Sequence, residues 1–223
     1  MCRLNPRVDF AFKKLFGSEE NKDLLISFIN AIVSCEDQVT SIELKNPYNN
    51  KLFSSDKFSI LDIKAQDSKG KFYHIEIQIT DQVYYEKRAL YYWAKLYTSQ
   101  LEQAGKYESL TKTIAIHVLN FNCMDHSSEY HNTYKLINTH LMSNATAFKD
   151  IELHFIELEK FDIDLSFIKT VLERWVTFLK KAEYYDSENL PKELASDPCI
   201  KKAFTVLDTI NLDKDEREVY DAI

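Results

Sequence analysis

Hydrophobic and polar residues alternate along the stretch 58–79, and this pattern predicts a β-hairpin. Two alternating segments, Phe58–Gln66 and Lys71–Ile79, flank the turn Asp67-Ser68-Lys69-Gly70, in which glycine can adopt the positive φ of a bulge. A three-residue loop pairs Asp67 with Lys71, so the numbers of opposed residues sum to 138. This register sorts the side chains into one apolar face and one polar face, which supports the register itself.

The polar face of this hairpin places two carboxylates directly opposite each other. Asp62 and Glu76 are a pair in the predicted register, and like charges at such a position destabilise a sheet. A divalent cation would turn the repulsion into coordination, because hard ions such as Mg²⁺ bind carboxylate oxygens. The alternative is a solvated strand face on which Lys64 and His74 temper the charge.

Apolar residues recur at helical or alternating spacing outside the hairpin as well, and they predict an α/β fold. The predicted helices cover residues 5–16, 21–33, 81–104 and 166–183, with further helices from Asp197 and Asp213. The predicted strands cover residues 39–45, 112–121, 134–141 and 152–158. This order favours a mixed central sheet flanked by helices.

Residues 186–191 form the best candidate linker, so we expect one domain over residues 1–185 and a helical C-terminal segment over 186–223. The segment stops at Ile223 without a capping signal, which is consistent with a truncated gene and equally with a frayed terminus. No function for the C-terminal third of the chain follows from its residues.

Composition and charge narrow the class of protein. The formal net charge of −7 gives no global basic field, so any binding of nucleic acid must rely on a local basic patch or on metal ions. No apolar run reaches the roughly 18 residues of a membrane span. The four cysteines form no C-x-x-C pair and are interpreted as reduced thiols. We therefore expect a cytoplasmic protein with no membrane partner.

The long helix and the strand that follow the hairpin are interpreted mainly as core elements. Helix 81–104 carries a broad aromatic stripe, with Lys87 and Arg88 near its start as exceptions. His117 is interpreted as a strand histidine rather than a ligand, because no carboxylate lies at a spacing that indicates a site. The chain contains no Gly-rich phosphate loop, H-E-x-x-H or nucleophile elbow. Candidate chemistry therefore rests on Asp62 and the segment Glu76-Ile77-Gln78.

Four segments of the chain, taken in order, resemble the PD-(D/E)XK nuclease superfamily. They are NPRVDFAFKKLFG, ILDIKAQDSKGKFYHIEIQ, YYEKRALYYWAKLY and KTIAIHVLNF. The likeness is closer to the transposase-like branch, also called recombination-promoting nucleases, and it covers about residues 5–125 well. No single motif is specific, whereas four matching segments in order are much more so.

The resemblance implies a restriction-endonuclease-like core and a metal-dependent endonuclease of mobile elements that hydrolyses DNA with Mg²⁺ or Mn²⁺. Asp62 matches the metal-binding aspartate and Glu76 the first residue of the E-x-K element, with the backbone carbonyl of Ile77 as a further ligand. Gln78 stands where the wider superfamily has lysine, and this branch resembles the present sequence in using glutamine. Glutamine can orient water but supplies no positive charge.

Other candidate residues rest on weaker signals. Asp9 is an auxiliary acidic ligand or a partner of Lys13 one helical turn away. Lys13, Lys64 and Arg88 either contact phosphates or are solvated surface charges, and Arg88 is the first choice because its helix follows the site.

Three functions remain open from the sequence. The first is a DNA endonuclease that uses Asp62, Glu76 and Gln78, for which a homodimer is expected when both strands are cut. The second is a nuclease-fold relic that binds DNA or a protein partner without cutting, suggested by the charge of −7 and the missing lysine. The third is a structural or assembly domain.

Overall fold

The computed structural model describes residues 4–45, 63–101, 105–140 and 148–210, without the side chains of Asp9 and Phe10. The described residues form the strands β1 (Ile42–Leu44), β2 (Ile63–Asp67), β3 (Phe72–Gln78), β4 (Thr113–Leu119), β5 (His131–Lys135) and β6 (Ile151–Glu157). They also form the helices α1 (Asp9–Phe16), α2 (Lys22–Ile32), α3 (Tyr85–Thr98), α4 (Val171–Lys181), α5 (Lys192–Ala195) and α6 (Pro198–Thr209). The chain divides into two compact units: residues 40–161 hold the sheet and α3, and residues 1–39 and 162–223 hold the other helices.

The sheet unit is built on a mixed sheet with the strand order β1-β2-β3-β4-β6-β5. Strands β3, β4 and β6 run parallel to one another, and β1, β2 and β5 are antiparallel to their neighbours. Parallel neighbours need a long crossover, and α3 provides it between β3 and β4. The predicted α/β fold with a mixed sheet flanked by helices is confirmed.

The hairpin of β2 and β3 has the register that the alternating pattern predicts. Ile63 pairs with Ile75 and Lys64 with His74, so the paired numbers sum to 138. Gly70 has a φ of +84°, and the Asp67 carboxylate accepts hydrogen bonds from the backbone N–H groups of Lys69 and Lys71 at 2.8 and 2.9 Å. Because the side chain of Asp67 closes the turn itself, the register is fixed locally.

The polar face of β3 is buried at His74 and Glu76. The interpretation of this face as a solvated strand face is therefore wrong for β3. His74 and Glu76 are only 1% and 3% exposed. The reason is that α3 packs on this face, where Tyr85 and Ala89 join an apolar cluster with Ala115, Leu119, Phe121, Met124, Leu153 and Phe155. Charged groups on β3 are therefore held in a largely water-free environment.

Several element boundaries differ from the predicted ones. Helix α1 begins at Asp9 rather than at residue 5, because the Asn5 side chain accepts the N–H of Arg7 in a preceding turn. Helix α4 begins after Thr170, whose side chain and Glu173 form a capping box. Helix α3 ends at Thr98 instead of residue 104, and β5 covers residues 131–135 instead of 134–141. The predicted helix from residue 213 lies outside the described residues.

The helical unit has an aromatic core contributed by both ends of the chain. Phe16 and Phe28 of α1 and α2 lie 5.3 and 5.7 Å, centroid to centroid, from Trp175 of α4. Phe178 packs edge-on against Phe204 of α6 at 4.9 Å. Asp197 caps α6 as predicted, by accepting the N–H groups of the next turn. The proposed division at residue 185 stays a prediction, since packing units need not coincide with the domains of a family.

Within the described ranges, no helix combines the length and the apolar character that crossing a bilayer requires. Cys35, Cys123 and Cys199 are free thiols, in agreement with the prediction for these three residues.

Candidate active site

Glu76 lies in the middle of β3 and is the centre of a buried polar group. Its side chain is 3% exposed, and its Oε1 accepts a hydrogen bond of 2.6 Å from Nη2 of Arg88 on α3. The other arm of this guanidinium, Nη1, donates to Oε1 of Gln82 at 2.6 Å. The fork of Arg88 thus ties the start of α3 to the Glu76 carboxylate, and this contact fixes the orientation of both side chains.

His117 of β4 is the second neighbour of Glu76. The parallel register pairs the two residues, and Nδ1 of His117 lies 3.7 Å from Oε2 of Glu76. At this distance the contact is electrostatic rather than a hydrogen bond. The same nitrogen shares a 3.0 Å hydrogen bond with the hydroxyl of Tyr85, and the imidazole ring stacks on Phe155. His117 is therefore held in place from three sides.

Electrostatics keep the Glu76 carboxyl ionised in spite of its burial. Burial by itself raises the pKa of this group, but the interactions with His117, His74 and Arg88 outweigh it and lower the pKa to about 2. The Glu76 carboxylate is consequently negative over the whole physiological pH range.

The Glu76 carboxylate has the capacity to bind a further positive partner. Its Oε1 receives Arg88, whereas its Oε2 is buried and has no hydrogen-bond partner among the residues that the structure describes. An ionised carboxylate oxygen in this state is a suitable ligand for a hard divalent cation. Between residues 4 and 210, as far as they are described, no group of three or more His, Cys, Asp or Glu side chains has metal-binding geometry. The Glu76 carboxylate has the donor chemistry that a hard divalent cation requires, but a complete metal site would need further ligands beside it.

Asp62, the other predicted metal ligand, lies outside the described residues. The confirmed register reaches Ile63 opposite Ile75, and one further step would oppose Asp62 and Glu76. The predicted ligand at Ile77 is its backbone carbonyl. Phe72 and Gln78 direct their backbone polar groups to β4, through hydrogen bonds with Lys112 and Asn120. Because these directions alternate along a strand, the carbonyl of Ile77 points to the opposite side, where β2 lies.

The remaining predicted residues have different surroundings. Gln78 is half-buried at the end of β3, and its amide donates a hydrogen bond of 3.3 Å to the carbonyl of Thr80. Lys64 is half-buried on β2, opposite His74. Lys13 is a half-buried residue of α1 in the helical unit, and the side chain of Asp9 is outside the description. The roles predicted for these four residues stay predictions.

Sequence reasoning missed two members of the group around Glu76. His117 carries no spacing signal, because its proximity to Glu76 comes from the parallel pairing of β3 and β4 across a helix. Tyr85 was predicted as a core aromatic, and it is 1% exposed, but its hydroxyl also contacts His117. The alternation of KTIAIHVLNF predicts which face of the strand His117 occupies. Together with the assumption that β3 and β4 pair in parallel, this face would have placed His117 on the same side of the sheet as Glu76.

Comparison with known proteins gives one match. A family model described as PD-(D/E)XK nuclease family transposase matches residues 6–223, which is nearly the whole chain. No curated protein and no solved structure matches the chain. The match extends beyond the region 5–125 in which the four segments were recognised, and it includes β5, β6 and the C-terminal helices.

Proposed function

Since this chain belongs to the PD-(D/E)XK nuclease family transposases, we propose that it is a divalent-metal-dependent DNA endonuclease of the transposase-like, recombination-promoting type. The observation that carries this proposal is the state of Glu76. It is a buried, ionised carboxylate at the centre of the sheet, and one of its oxygens is not engaged by a hydrogen bond within the described residues. Buried charges in proteins are paired or coordinate metals, and Oε2 is the oxygen of Glu76 that has room for a metal in addition to its pair with Arg88.

Three groups of this chain would hold the ion, Mg²⁺ or Mn²⁺. They are the Glu76 carboxylate, the Asp62 carboxylate that the register would place opposite it, and the backbone carbonyl of Ile77. When bound, the ion supplies an activated water and stabilises negative charge on the phosphate group. This set consists of oxygen donors only, which favours hard cations over zinc.

Arg88 takes over part of what the missing lysine would supply. Gln78 can orient a water molecule through its amide but has no charge. The guanidinium of Arg88 is permanently positive and is anchored by Glu76 and Gln82 next to the proposed site. We assign Arg88 the role of a positioning residue, because it fixes the Glu76 carboxylate and contributes, after His117 and His74, to the lowered pKa of that carboxyl.

DNA is the substrate expected for this family. The protein as a whole carries a net charge of −7, so its overall field does not attract the negatively charged DNA backbone. Attraction to the phosphate backbone must therefore come from cations close to the site, of which Lys64 and Arg88 are on the elements around Glu76.

The test is a calorimetric titration of Mn²⁺ into the wild-type protein and into Asp62→Asn, Glu76→Gln and Glu86→Gln, followed by plasmid nicking with the same samples. Glu86 is an exposed carboxylate on α3, so Glu86→Gln is a control that changes the net charge equally. We expect Asp62→Asn and Glu76→Gln to lower metal affinity and nicking by about 100-fold or more, since even partners of metal ligands cost about 10–100-fold. Wild-type behaviour in both variants would contradict the proposal.

A second function is favoured by the ion pair between Arg88 and Glu76. This 2.6 Å contact gives the buried carboxylate an internal cation, as in a nuclease-fold relic that binds DNA without cutting it. In that case wild type and Glu76→Ala would bind DNA with equal affinity, and neither would nick a plasmid at any concentration of Mg²⁺ or Mn²⁺.

A further inference from the structure

The outward side of α3 carries two tyrosines and two lysines that the proposed reaction does not use. Tyr84, Lys87, Tyr91 and Lys95 are spaced by three, four and four residues, so they lie along one side of the helix. We call them the tyrosine–lysine stripe. Glu86 is the one carboxylate in the sequence of α3, and its position, about 145° around the helix from the stripe, puts it on the other flank. The helix therefore contributes only positive charge to the stripe.

The tyrosines of the stripe are exposed although they are large and aromatic. Tyr84 is 64% and Tyr91 53% exposed, whereas the core of the sheet unit takes Tyr85, Ala89 and Tyr92 from the same helix. Each exposed ring is accompanied by a lysine: Nζ of Lys87 lies 4.4 Å from the centroid of Tyr84, and Nζ of Lys95 lies 5.0 Å from that of Tyr91. Aromatic faces and ammonium groups thus alternate on the surface.

The backbone of Tyr84 indicates that its ring is needed there. Tyr84 precedes the first residue of α3 with φ 62° and ψ 37°, and it is the one residue other than glycine with positive φ in the described ranges. A bulky side chain is strained in this left-handed conformation, which glycine or asparagine adopt more easily. Its side chain makes no capping hydrogen bond that would offset the strain. A bulky residue that is both exposed and held in this conformation is a candidate for a functional role.

The stripe adjoins the candidate active site. Tyr84 is four residues before Arg88 and Tyr91 is three residues after it, so both are surface neighbours of Arg88 on the helix. The guanidinium of Arg88 contacts Glu76. A nucleic acid strand that follows the stripe would pass next to the proposed metal ligand.

We propose that the tyrosine–lysine stripe binds a DNA segment with unpaired bases. Tyrosine rings stack on bases that are not stacked within a duplex, and lysines contact the phosphates on either side. A duplex would use the lysines but would leave the two exposed rings without a partner. This inference rests on the proposed function for the choice of DNA, and it adds that the substrate exposes single-stranded nucleotides near the cleavage site.

The experiment measures binding in EDTA, by fluorescence anisotropy, so that it does not depend on metal or on cleavage. The probes are a single-stranded oligonucleotide of about 20 nucleotides and a blunt duplex of the same length. The variant Tyr84→Asn/Tyr91→Ser is compared with Tyr84→Phe/Tyr91→Phe, which keeps both rings. Tyr107→Ser is the matched control, because Tyr107 is an exposed tyrosine outside α3, at 82% exposure. Asparagine tolerates the left-handed backbone at residue 84, so the test variant is expected to fold.

We expect the Asn/Ser variant, which lacks two stacking rings, to bind the single strand at least roughly 30-fold more weakly than wild type, with a much smaller change for the blunt duplex. The Phe/Phe variant and Tyr107→Ser should retain wild-type affinity for the single strand. Equal single-strand affinity of wild type and the Asn/Ser variant would overturn the inference, even if the protein nicks DNA with metal. A wild type that binds neither probe would overturn it as well. Loss of single-strand binding in a protein that never cuts would support the stripe and contradict only the endonuclease.

Discussion

Two buried glutamates on the same face of the sheet have opposite surroundings. Glu157 at the end of β6 is fully buried, and its Oε1 accepts the backbone N–H groups of Cys123 and Met124 at 2.6 and 2.9 Å. Its Oε2 accepts Lys160 Nζ at 2.8 Å and Asn132 Nδ2 at 3.3 Å. Every oxygen is saturated, so this carboxylate fixes the loop that follows β4 and has no capacity for another ligand.

Glu76 is buried to almost the same degree but receives only one strong donor from the residues that the structure describes. Arg88 contacts its Oε1, and its Oε2 has no hydrogen-bond partner within the described chain. Burial therefore does not separate a structural carboxylate from a candidate ligand, whereas the number of donors does. A carboxylate whose oxygens are all saturated serves the fold, whereas a carboxylate with one oxygen that accepts no hydrogen bond keeps the capacity to bind a cation.

The largest effect is expected from Glu157→Ala. Removal of this carboxylate leaves the backbone N–H groups of Cys123 and Met124 without their acceptor. It also takes the anionic partner from Lys160, whose ammonium keeps the carbonyls of Met124 and Ser127 as acceptors. We expect the free energy of unfolding to fall by about 3–5 kcal/mol, the range for breaking a buried ion pair on one side. Urea denaturation followed by circular dichroism measures it. Glu159→Ala, an exposed neighbour, should change the free energy of unfolding by less than about 0.5 kcal/mol.

Glu157→Ala should leave metal affinity at the wild-type value in the fraction that is folded, because Glu157 has no role in the proposed site. A destabilisation below about 1 kcal/mol would mean that its four hydrogen bonds are not the support that we infer.

The hairpin was predictable because its information is local. The alternation of residues 58–79 and the turn chemistry of Asp67 and Gly70 determine a register, and that register is the observed one. The ends of α3 were not predictable from the same kind of reasoning. Tyr84 adopts a left-handed conformation, which cannot be predicted from the presence of a tyrosine in the sequence. Because of it, the helix begins only at Tyr85.

The candidate site was predictable only in part, because most of its contacts are between distant segments. The segment Glu76-Ile77-Gln78 could be identified along the chain, but its burial depends on how α3 packs across the sheet. Arg88 was predicted as a contact for phosphate or a surface charge, and it forms an ion pair with Glu76 twelve residues away. His117 lies beside Glu76 because β3 and β4 pair in parallel, although the two residues are 41 positions apart in the sequence. Alternation alone does not determine that register.

A smaller effect is expected from Arg88→Gln, which removes the strong donor that contacts Oε1 of Glu76. The pKa of the Glu76 carboxyl, about 2 in the wild type, should rise because a nearby positive charge is lost. In the wild type the ionised carboxylate stabilises the fold above about pH 4.5, and this contribution is lost as the pH falls toward 2. The variant should lose about 1.5–3 kcal/mol of unfolding free energy at neutral pH, measured by urea denaturation.

The acid limb of the pH profile of nicking separates a positioning role of Arg88 from a merely structural one. In Arg88→Gln this limb should move to higher pH, since Glu76 must be ionised to bind metal. Arg88→Lys keeps a positive charge and should leave the limb near that of the wild type, although it loses the second arm of the fork to Gln82. An unchanged acid limb in Arg88→Gln would show that Arg88 does not control the ionisation of Glu76.

A third buried glutamate, Glu152, shows why a lowered pKa does not identify the site by itself. Burial raises the pKa of its carboxyl, but hydrogen bonds from His154, Lys112 and Lys135 lower it well below the usual range. The direction is the same as for Glu76, yet Glu152 is surrounded by these three partners at 2.6–3.0 Å. His154 continues the network to His131 through a 3.0 Å contact between the two rings. This network lies on the opposite face of the sheet and is expected to serve stability.

The smallest effect is expected from His131→Gln, and it concerns the pH dependence of that network. Burial and the neighbouring His154 lower the pKa of His131 to about 4 from an ordinary value of 6.5, so the unfolded chain binds a proton at a pH where the folded protein does not. Stability from this residue is therefore complete above pH 6.5 and is lost as the pH falls toward 4. Between pH 7 and pH 5.5 the wild type should lose about 1 kcal/mol that His131→Gln retains. Urea denaturation at the two pH values measures the difference, with the exposed His140→Gln as a control that follows the wild type. If His131→Gln loses as much stability as the wild type, burial does not keep His131 neutral in the folded protein.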